Sequence, residues 1–329
     1  MAWIGWDYFL RFLPADTFEV RTIACGARRL FTWDAICQEY GGQPDVVVYC
    51  DRSIPPPLPG VERFPCLTVF YCIDSHIHDW YPTYAQAFDL CTVSLRDHLP
   101  RFLGRLTRER LLWMPPAATA VPLEAVAEER AKTCDMLFVG KVDAELTPKR
   151  ATLLAELGNR LPGLVATRGD WRTLFPTARL VLNIAEGGDL NFRVFEALSV
   201  GSCLLTPEVG HGLTDLFVPG KHLFTYPADD VNALAALAQR LLDDTEKRRA
   251  VARQGLAAIR TQHGPATRAA QFADWLTAQP AEELVRRRLD TAGDIARFLR
   301  LLYLHWAEAL PGDPRAAVYL KTAKAAGSP

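Results

Sequence analysis

What most constrains the fold of this chain is an alternation that runs through it twice. Short apolar runs rich in β-branched and aromatic residues recur, separated by amphipathic segments. In the first pass FEVRTIAC (18–25), DVVVYC (45–50), CLTVFYCID (66–74) and LCTVS (90–94) read as strands. Between them TWDAICQEYGG (32–42) reads as a helix stopped by Gly41 and Gly42. LLWMPPA (111–117) closes the pass on a Pro pair. In the second pass CDMLFVG (134–140), LVATRG (164–169), LVLNIA (180–185), CLLT (203–206) and HLFTY (222–226) read as strands. RATLLAELGNRL (150–161), NFRVFEALSVG (191–201) and DVNALAALAQRLLDD (230–244) read as helices. Such alternation predicts an α/β protein with parallel sheets covered by helices on both faces.

A length of 329 residues favours two domains. The expected division is 1–117, 118–279 and a helical extension over 280–329. Residues 117–133 read as a linker with room for one short helix. Residues 245–279 are helical in pattern, interrupted at His263, Gly264 and Pro265. The extension is expected to pack on the first domain or on a partner. Its AEALPGDPRAAVYLKTA stretch faintly resembles a tetratricopeptide unit, and a single unit cannot make a solenoid.

Charge excludes one function class. With 37 basic and 38 acidic residues there is no broad positive field, which argues against generic nucleic-acid binding. The eight cysteines form no CxxC pair and lie in apolar surroundings, so they are expected to be buried reduced thiols rather than zinc ligands. The first residues, MAWIGWDYFLRFLP, lack the basic region and small-residue cleavage site of a signal peptide, and no apolar run is long enough to span a bilayer. The expected location is cytoplasmic.

LNFRVFEALSVGSCLLT (190–206) poses the functional question, because this apolar stretch carries Arg193 and Glu196 three residues apart. The residues before it give a strand ending near Asn183, a loop with Gly187 and Gly188, and a helix beginning near Asn191. In a doubly wound domain ligands bind beyond the carboxyl ends of the strands. The free N–H groups and positive dipole end of such a helix suit a phosphate. Arg193 could add a charge-assisted contact, and Glu196, one turn on, could accept hydrogen bonds from both hydroxyls of a ribose. Phe192, Phe195 and Leu198 are expected to face the core. The alternative is an i,i+3 ion pair on a solvated face, worth a few tenths of a kcal/mol.

The segment Asn191 to Gly201, N-x-R-x-F-E-A-L-x-x-G, resembles the C-terminal domain of the group 1 (family 4-like) glycosyltransferases with the GT-B fold. Its likeness is strongest to the branch typified by the spore maturation protein CgeB. DMLFVGK (135–141), Arg150, TDLFVPGKHLFTY (214–226) and EKRRAVARQGLAAIRTQHGPATRAAQF (246–272) follow the family pattern in order. YCIDSHIHDW (71–80) and FDLCTVS (88–94) resemble its Asp-Ser-His segment and next strand. The likeness covers most of residues 45–277. The broader group carries two Glu eight positions apart. Here Gly188 stands at the first position, with Asp189 the nearest acid, and CgeB-like members commonly lack that first Glu. The loop that normally follows the first strand is reduced to Gly5 and its neighbours, which bears on the acceptor side.

The resemblance implies two Rossmann-like domains facing a cleft, and glycosyl transfer from a nucleotide-diphosphate sugar to a protein, polysaccharide or small-molecule acceptor. It implies a retaining reaction with no cofactor and no metal. Glu196 would bind ribose. Arg193 and the amides after Asn191, with Phe192, would meet the diphosphate. Asn183 and Gly140 would contact the donor. Lys141 and Arg150 would make a second phosphate contact, or else be solvated surface groups.

IDSHIHDW (73–80) crowds Asp74, His76, His78 and Asp79 together. A metal site is one reading, since His76 and His78 share a face if the segment stays extended. The better reading places the segment at the carboxyl end of a strand. His76 then hydrogen-bonds the transferred sugar or assists proton transfer, and Asp74 orients it or binds acceptor. A simple Asp-Ser turn is the alternative. His211 lines the site or is an ordinary loop residue, and Trp80 and Trp171 stack on sugar or base or simply pack. Two other functions remain open: a GT-B nucleotide-sugar epimerase, and a non-catalytic nucleotide-sugar-binding scaffold whose tail recruits a partner.

Overall fold

The structure is a computed structural model that describes residues 1–126, 128 and 131–326. The chain divides into two compact units, Met1–Pro115 together with the chain from Ala269 onward, and Pro116–Arg268.

The first unit is built on β1 (Ala2–Gly5), β2 (Arg21–Ile23), β3 (Val46–Cys50), β4 (Leu67–Cys72), β5 (Leu90–Val93) and β6 (Leu111–Trp113), with α1 (Trp33–Tyr40) and the short α2 (Tyr81–Ala85). The six strands form one parallel sheet in the order β2-β1-β3-β4-β5-β6. The chain goes from β1 out to β2 and returns on the other side of β1. The sheet therefore reverses its winding between β1 and β3, where a crevice opens at the carboxyl ends. α1 starts at Thr32, whose side chain accepts from the Ala35 amide at 3.3 Å, and it ends at Gly41.

The second unit contains β7 (Cys134–Val139), α3 (Pro148–Gly158), β8 (Leu164–Thr167), α4 (Trp171–Leu174), β9 (Ala178–Leu182), α5 (Phe192–Ser199), β10 (Leu204–Pro207), α6 (Leu213–Leu216), β11 (Phe224–Tyr226), α7 (Val231–Asp243) and α8 (Thr245–Ala258). Its five strands are parallel in the order β11-β10-β9-β7-β8, with the reversal between β7 and β9. Met136, Phe138, Leu180, Leu182 and Leu205 fill its core against Leu234 of α7. A π-turn (Ile259–His263) follows α8 and leads into α9 (Pro265–Thr277), where the break expected at His263 to Pro265 falls.

The tail is part of the first unit. The unit boundary falls inside α9, and α10 (Ala281–Asp290), α11 (Ala292–Ala309) and α12 (Pro314–Ala325) belong to the first unit. Ile295, Leu299, Leu302, Tyr303, Tyr319 and Ala323 join its core. Arg288 of α10 is fully buried and pairs with buried Asp89 at 2.9 Å. Its other N–H groups donate to the carbonyls of Val61, Glu62, Phe64 and Cys66. In the expected linker a 3-10 turn spans Leu123–Ala125, and residues 127, 129 and 130 lie outside the described residues, as do 327–329 at the end of the tail.

All eight cysteines are free thiols, and Cys50, Cys66, Cys72, Cys91 and Cys203 are buried.

Candidate functional site

The crevice of the second unit is lined by the loops that leave β7 and β9. β7 delivers Gly140 and Lys141. β9 delivers Asn183 and the turn at Glu186 to Gly188, after which α5 begins. Gly188 has φ +71°, a conformation in which a glutamate would be strained. The glycine at that place fits the left-handed backbone it adopts.

Arg193 and Arg150 converge on this crevice. Each guanidinium carbon lies 5.6 Å from the centroid of the buried Phe138 ring. Gly140 leaves the space Arg193 uses, since a Cβ there would stand 3.1 Å from Arg193 Nη1 and 2.9 Å from Phe138 Cζ. Arg150 donates to the Lys141 carbonyl at 2.8 Å and faces Glu186 at 3.5 Å. Burial lowers the proton affinity of the Arg193 guanidinium, Glu196 opposes that, and Arg150 adds to it. Arg193 Nε, Arg150 Nε, Glu186 Oε2 and Asn191 Oδ1 are buried without a hydrogen-bond partner among the described residues. Asn191 is the N-cap of α5, yet its side chain does not accept from the helix amides. Unpaired buried polar atoms are costly, and three of these, those on Arg150, Asn191 and Arg193, describe a place prepared for a polar ligand, while Glu186 Oε2 faces Arg150.

Glu196 lies one turn further along α5 and is half-buried. Burial raises its carboxyl above the usual carboxylate range, while the Arg193 and Arg172 guanidiniums pull it back down. Arg193 and Glu196 form no ion pair within 4.0 Å, and the Glu196 carboxylate has no hydrogen-bond partner among the described residues. A solvated i,i+3 pair is thus not what the structure contains.

The other residues singled out from sequence fall differently. Lys141 is exposed and pairs with Asp143 at 3.0 Å. Asn183 is buried, its Nδ2 donating to Thr206 at 3.0 Å and its carbonyl accepting from Tyr226 at 2.6 Å, so it ties β9 to its neighbours. Phe195 and Leu198 are buried, whereas Phe192, expected in the core, is half-exposed at the start of α5. His211 sits in the loop after β10 with φ +58°. Trp80 packs against Tyr81, Tyr84 and Trp306 in the first unit, and Trp171 carries Arg172 over its ring at 4.4 Å.

In the first unit, the Asp74 segment follows β4 as expected but does not stay extended. The Asp74 carbonyl accepts from the amides of Ile77 and His78, closing a turn. His76 is half-buried in that turn, and the His78 ring packs 4.8 Å from Tyr81. The two histidines therefore do not share a strand face. Among the described residues no group of three or more His, Cys, Asp or Glu is placed to hold a metal ion.

Sequence reasoning missed Asp51, which organises this crevice. It is buried at the end of β3 and accepts from the Tyr81 hydroxyl and from the amides of Ser53 (2.7 Å), Ile73 (3.3 Å) and Asp74 (2.9 Å). Burial raises its carboxyl, and these hydrogen bonds pull it back. Ser53 donates to the Asp74 carboxylate. Glu186 was missed as well, because it stands ten positions before Glu196 rather than eight.

Residues 137–274 match the family model described as glycosyl transferase-like. No curated protein matches the chain by sequence. Among solved structures, Anabaena HepE in complex with UDP and glucose superposes with a TM-score of 0.57 at 12% identity, covering 79% of this chain and 86% of HepE. Sucrose-phosphate synthase from Thermosynechococcus elongatus gives 0.53 at 13% identity, covering 74% of this chain and 75% of the synthase. TarM gives 0.53 at 8% identity over 71% of this chain, which spans 55% of TarM. Identities this low establish the fold, two parallel-sheet units of the GT-B type. No helix is long and apolar enough to cross a membrane among the described residues. The family match lies mostly over the second unit, and the neighbours share the fold of the chain.

Proposed function

We propose that the protein transfers a sugar from a nucleotide-diphosphate donor held in the second unit to an acceptor held in the first. The observation that carries this reading is the group of unpartnered buried polar atoms on Arg150, Asn191 and Arg193, with the free Glu196 carboxylate one helical turn away. In this reading the uncapped amides of α5, Arg193 and Arg150 hold the diphosphate. Glu196 accepts from the ribose hydroxyls, and Gly140 keeps the approach open. Phe192 borders the nucleotide, Lys141 contributes at the rim, and Asn183 positions the strand end. Negative charge grows on the diphosphate as the glycosidic bond breaks, and guanidiniums already in place stabilise it without reorganising. These cations supply the countercharge, so we assign the transfer no metal and no cofactor. We read it as retaining and CgeB-like, on the strength of the Asn191–Gly201 motif, and as cytoplasmic. Asp74, held by Ser53 and the Asp51 network, and His76 in the same turn are assigned to the acceptor side.

The test is a thermal-shift screen against nucleotide-diphosphate sugars beside Glu196→Ala. A ligand that binds only the folded state raises the apparent Tm by mass action. Losing hydrogen bonds to a charged group costs about 1.5–3 kcal/mol, so the variant should weaken the best donor roughly 10- to 100-fold with its own Tm unchanged. Unaltered donor affinity in the variant would refute the assignment. No shift with any donor in the wild type would favour the scaffold reading.

A further inference from the structure

The first unit has its own reversal point, and the residues there suggest what the acceptor looks like. β1 and β3 end side by side at Gly5 and Cys50. A Cβ on Gly5 would collide with the Cys50 carbonyl, so the two strand ends meet more closely than any other residue would allow. Immediately beyond them, Trp6 and Arg52 come together. The Arg52 guanidinium lies 3.9 Å from the centroid of the Trp6 ring. Trp6 is 44% exposed, an unusual state for the largest side chain. The platform is anchored from beneath. Trp3, fully buried in β1, donates from Nε1 to the Trp6 carbonyl at 2.5 Å. Asp51 fixes the other side by accepting from the amides of Ser53 and Asp74. Ser53, the residue after Arg52, is held at φ +51°, and non-glycine residues in that region cluster at ligand-binding places.

The guanidinium itself is uncommitted. Stacked on the indole, it has no hydrogen-bond acceptor and no ion-pair partner among the described residues. A guanidinium held over an aromatic ring still has N–H groups to offer, and it can meet a carboxylate or phosphate with two parallel hydrogen bonds. Asp51 and Asp74 keep their charge nearby, as does exposed Asp7 beside Trp6, but Asp51 is engaged by Tyr81 and three amides and Asp74 by Ser53, and none of the three forms an ion pair with the guanidinium. An indole face complements the apolar C–H face of a sugar ring. We propose that Trp6 and Arg52 form the acceptor subsite, and that the acceptor is a saccharide carrying a carboxylate or phosphate. This rests on the glycosyl-transfer reading for the word acceptor. The binding site itself does not depend on it.

The test is calorimetric titration of the full chain with three probes: a glucuronate-terminated disaccharide, a disaccharide 6-phosphate and a neutral disaccharide. The wild type should bind one anionic probe about tenfold or more tighter than the neutral one, and that probe identifies the anion. The preference should shrink with added salt. Arg52→Gln should bring the ratio close to one, and Trp6→Leu should weaken charged and neutral probes alike. The Arg52 side chain makes no hydrogen bond or ion pair among the described residues and loses only its contact with Trp6, so Arg52→Gln should lower Tm by no more than about 4 °C and keep the thermal shift given by the nucleotide-sugar donor. Equal binding of all three probes, binding of none, or an intact preference in Arg52→Gln would overturn the proposal. So would loss of the donor shift in Arg52→Gln, which would assign the residue to the donor. A wild type with the anionic preference but no donor shift would leave this site standing and remove the transferase reading.

Discussion

Arg288 is the side chain on which the docking of the tail most depends, and its replacement has a calculable outcome. It is fully buried, pairs with fully buried Asp89 and donates to four carbonyls between Val61 and Cys66. Asp89 is otherwise bonded to the Thr68 amide and hydroxyl. Arg288→Met keeps much of the volume and removes every donor. The Asp89 charge is then left without its partner, which costs about 3–5 kcal/mol. The stranded carbonyls push the loss toward the upper end of that range. In a unit of about 150–250 residues each kcal/mol lowers Tm by about 2–4 °C, so the first unit should melt roughly 6–20 °C lower. Urea denaturation followed by tryptophan fluorescence measures it. Adding Asp89→Asn to Arg288→Met should restore part of the loss, because the unpaired charge is gone. A loss under about 1 kcal/mol in Arg288→Met, or no recovery in the double variant, would refute the claim that this pair fixes the tail to the sheet.

Two further outcomes concern the second unit. His263 is buried, with Nε2 donating to the Leu216 carbonyl at 3.0 Å and Nδ1 lacking a partner, and burial pushes its pKa down from 6.5 to about 4. Arg268 and His222 act in the same direction. The unfolded chain binds the proton more readily, so this contribution is present above pH 6.5 and is lost as pH falls to about 4. The total is about 3 kcal/mol, and His263→Gln should flatten the pH dependence of denaturation midpoints across that window. An unchanged slope would show that His263 does not titrate with folding. Gly140→Ala places a Cβ 2.9 Å from Phe138 Cζ and 3.1 Å from Arg193 Nη1. It should cost about 1–3 kcal/mol of stability through overpacking and weaken donor binding about tenfold, whereas intact affinity would mean that Arg193 does not need that space.

Much of the local architecture was legible before any coordinates. Most strands fall inside the runs read from β-branched and aromatic content, with β9 and β10 overlapping theirs by most of their length, and α1, α5 and α7 lie within the segments read from periodicity and their stops. Among the elements passed over are β6, whose run was read only as ending on a Pro pair, and α2, α4 and α6, which are too short to show a periodicity. The donor-side residues Arg193, Glu196 and Arg150 were visible because they are charges in or beside apolar segments. Asp51 and Arg52 were not, because a carboxylate and a guanidinium just after a strand look like ordinary turn residues. Whether His76 and His78 share a face stayed open in the sequence, because nothing local distinguishes an extended Asp-Ser-His from the turn that the Asp74 carbonyl closes.

The sequence by itself determined the alternation of strands and helices, the parallel sheets that alternation requires, and the motif that opens α5. These follow from short-range chemistry: side-chain periodicity, capping residues and the glycines that end helices. The tertiary structure alone decided which core the last helices serve. An amphipathic helix specifies only that an apolar face must be covered, and the partner of Arg288 lies at Asp89, 199 residues away along the chain. The same holds for the two crevices. Their strands are adjacent in space and separated in sequence, so the meeting of Arg150 with Arg193, or of Trp6 with Arg52, exists only once the sheets have formed.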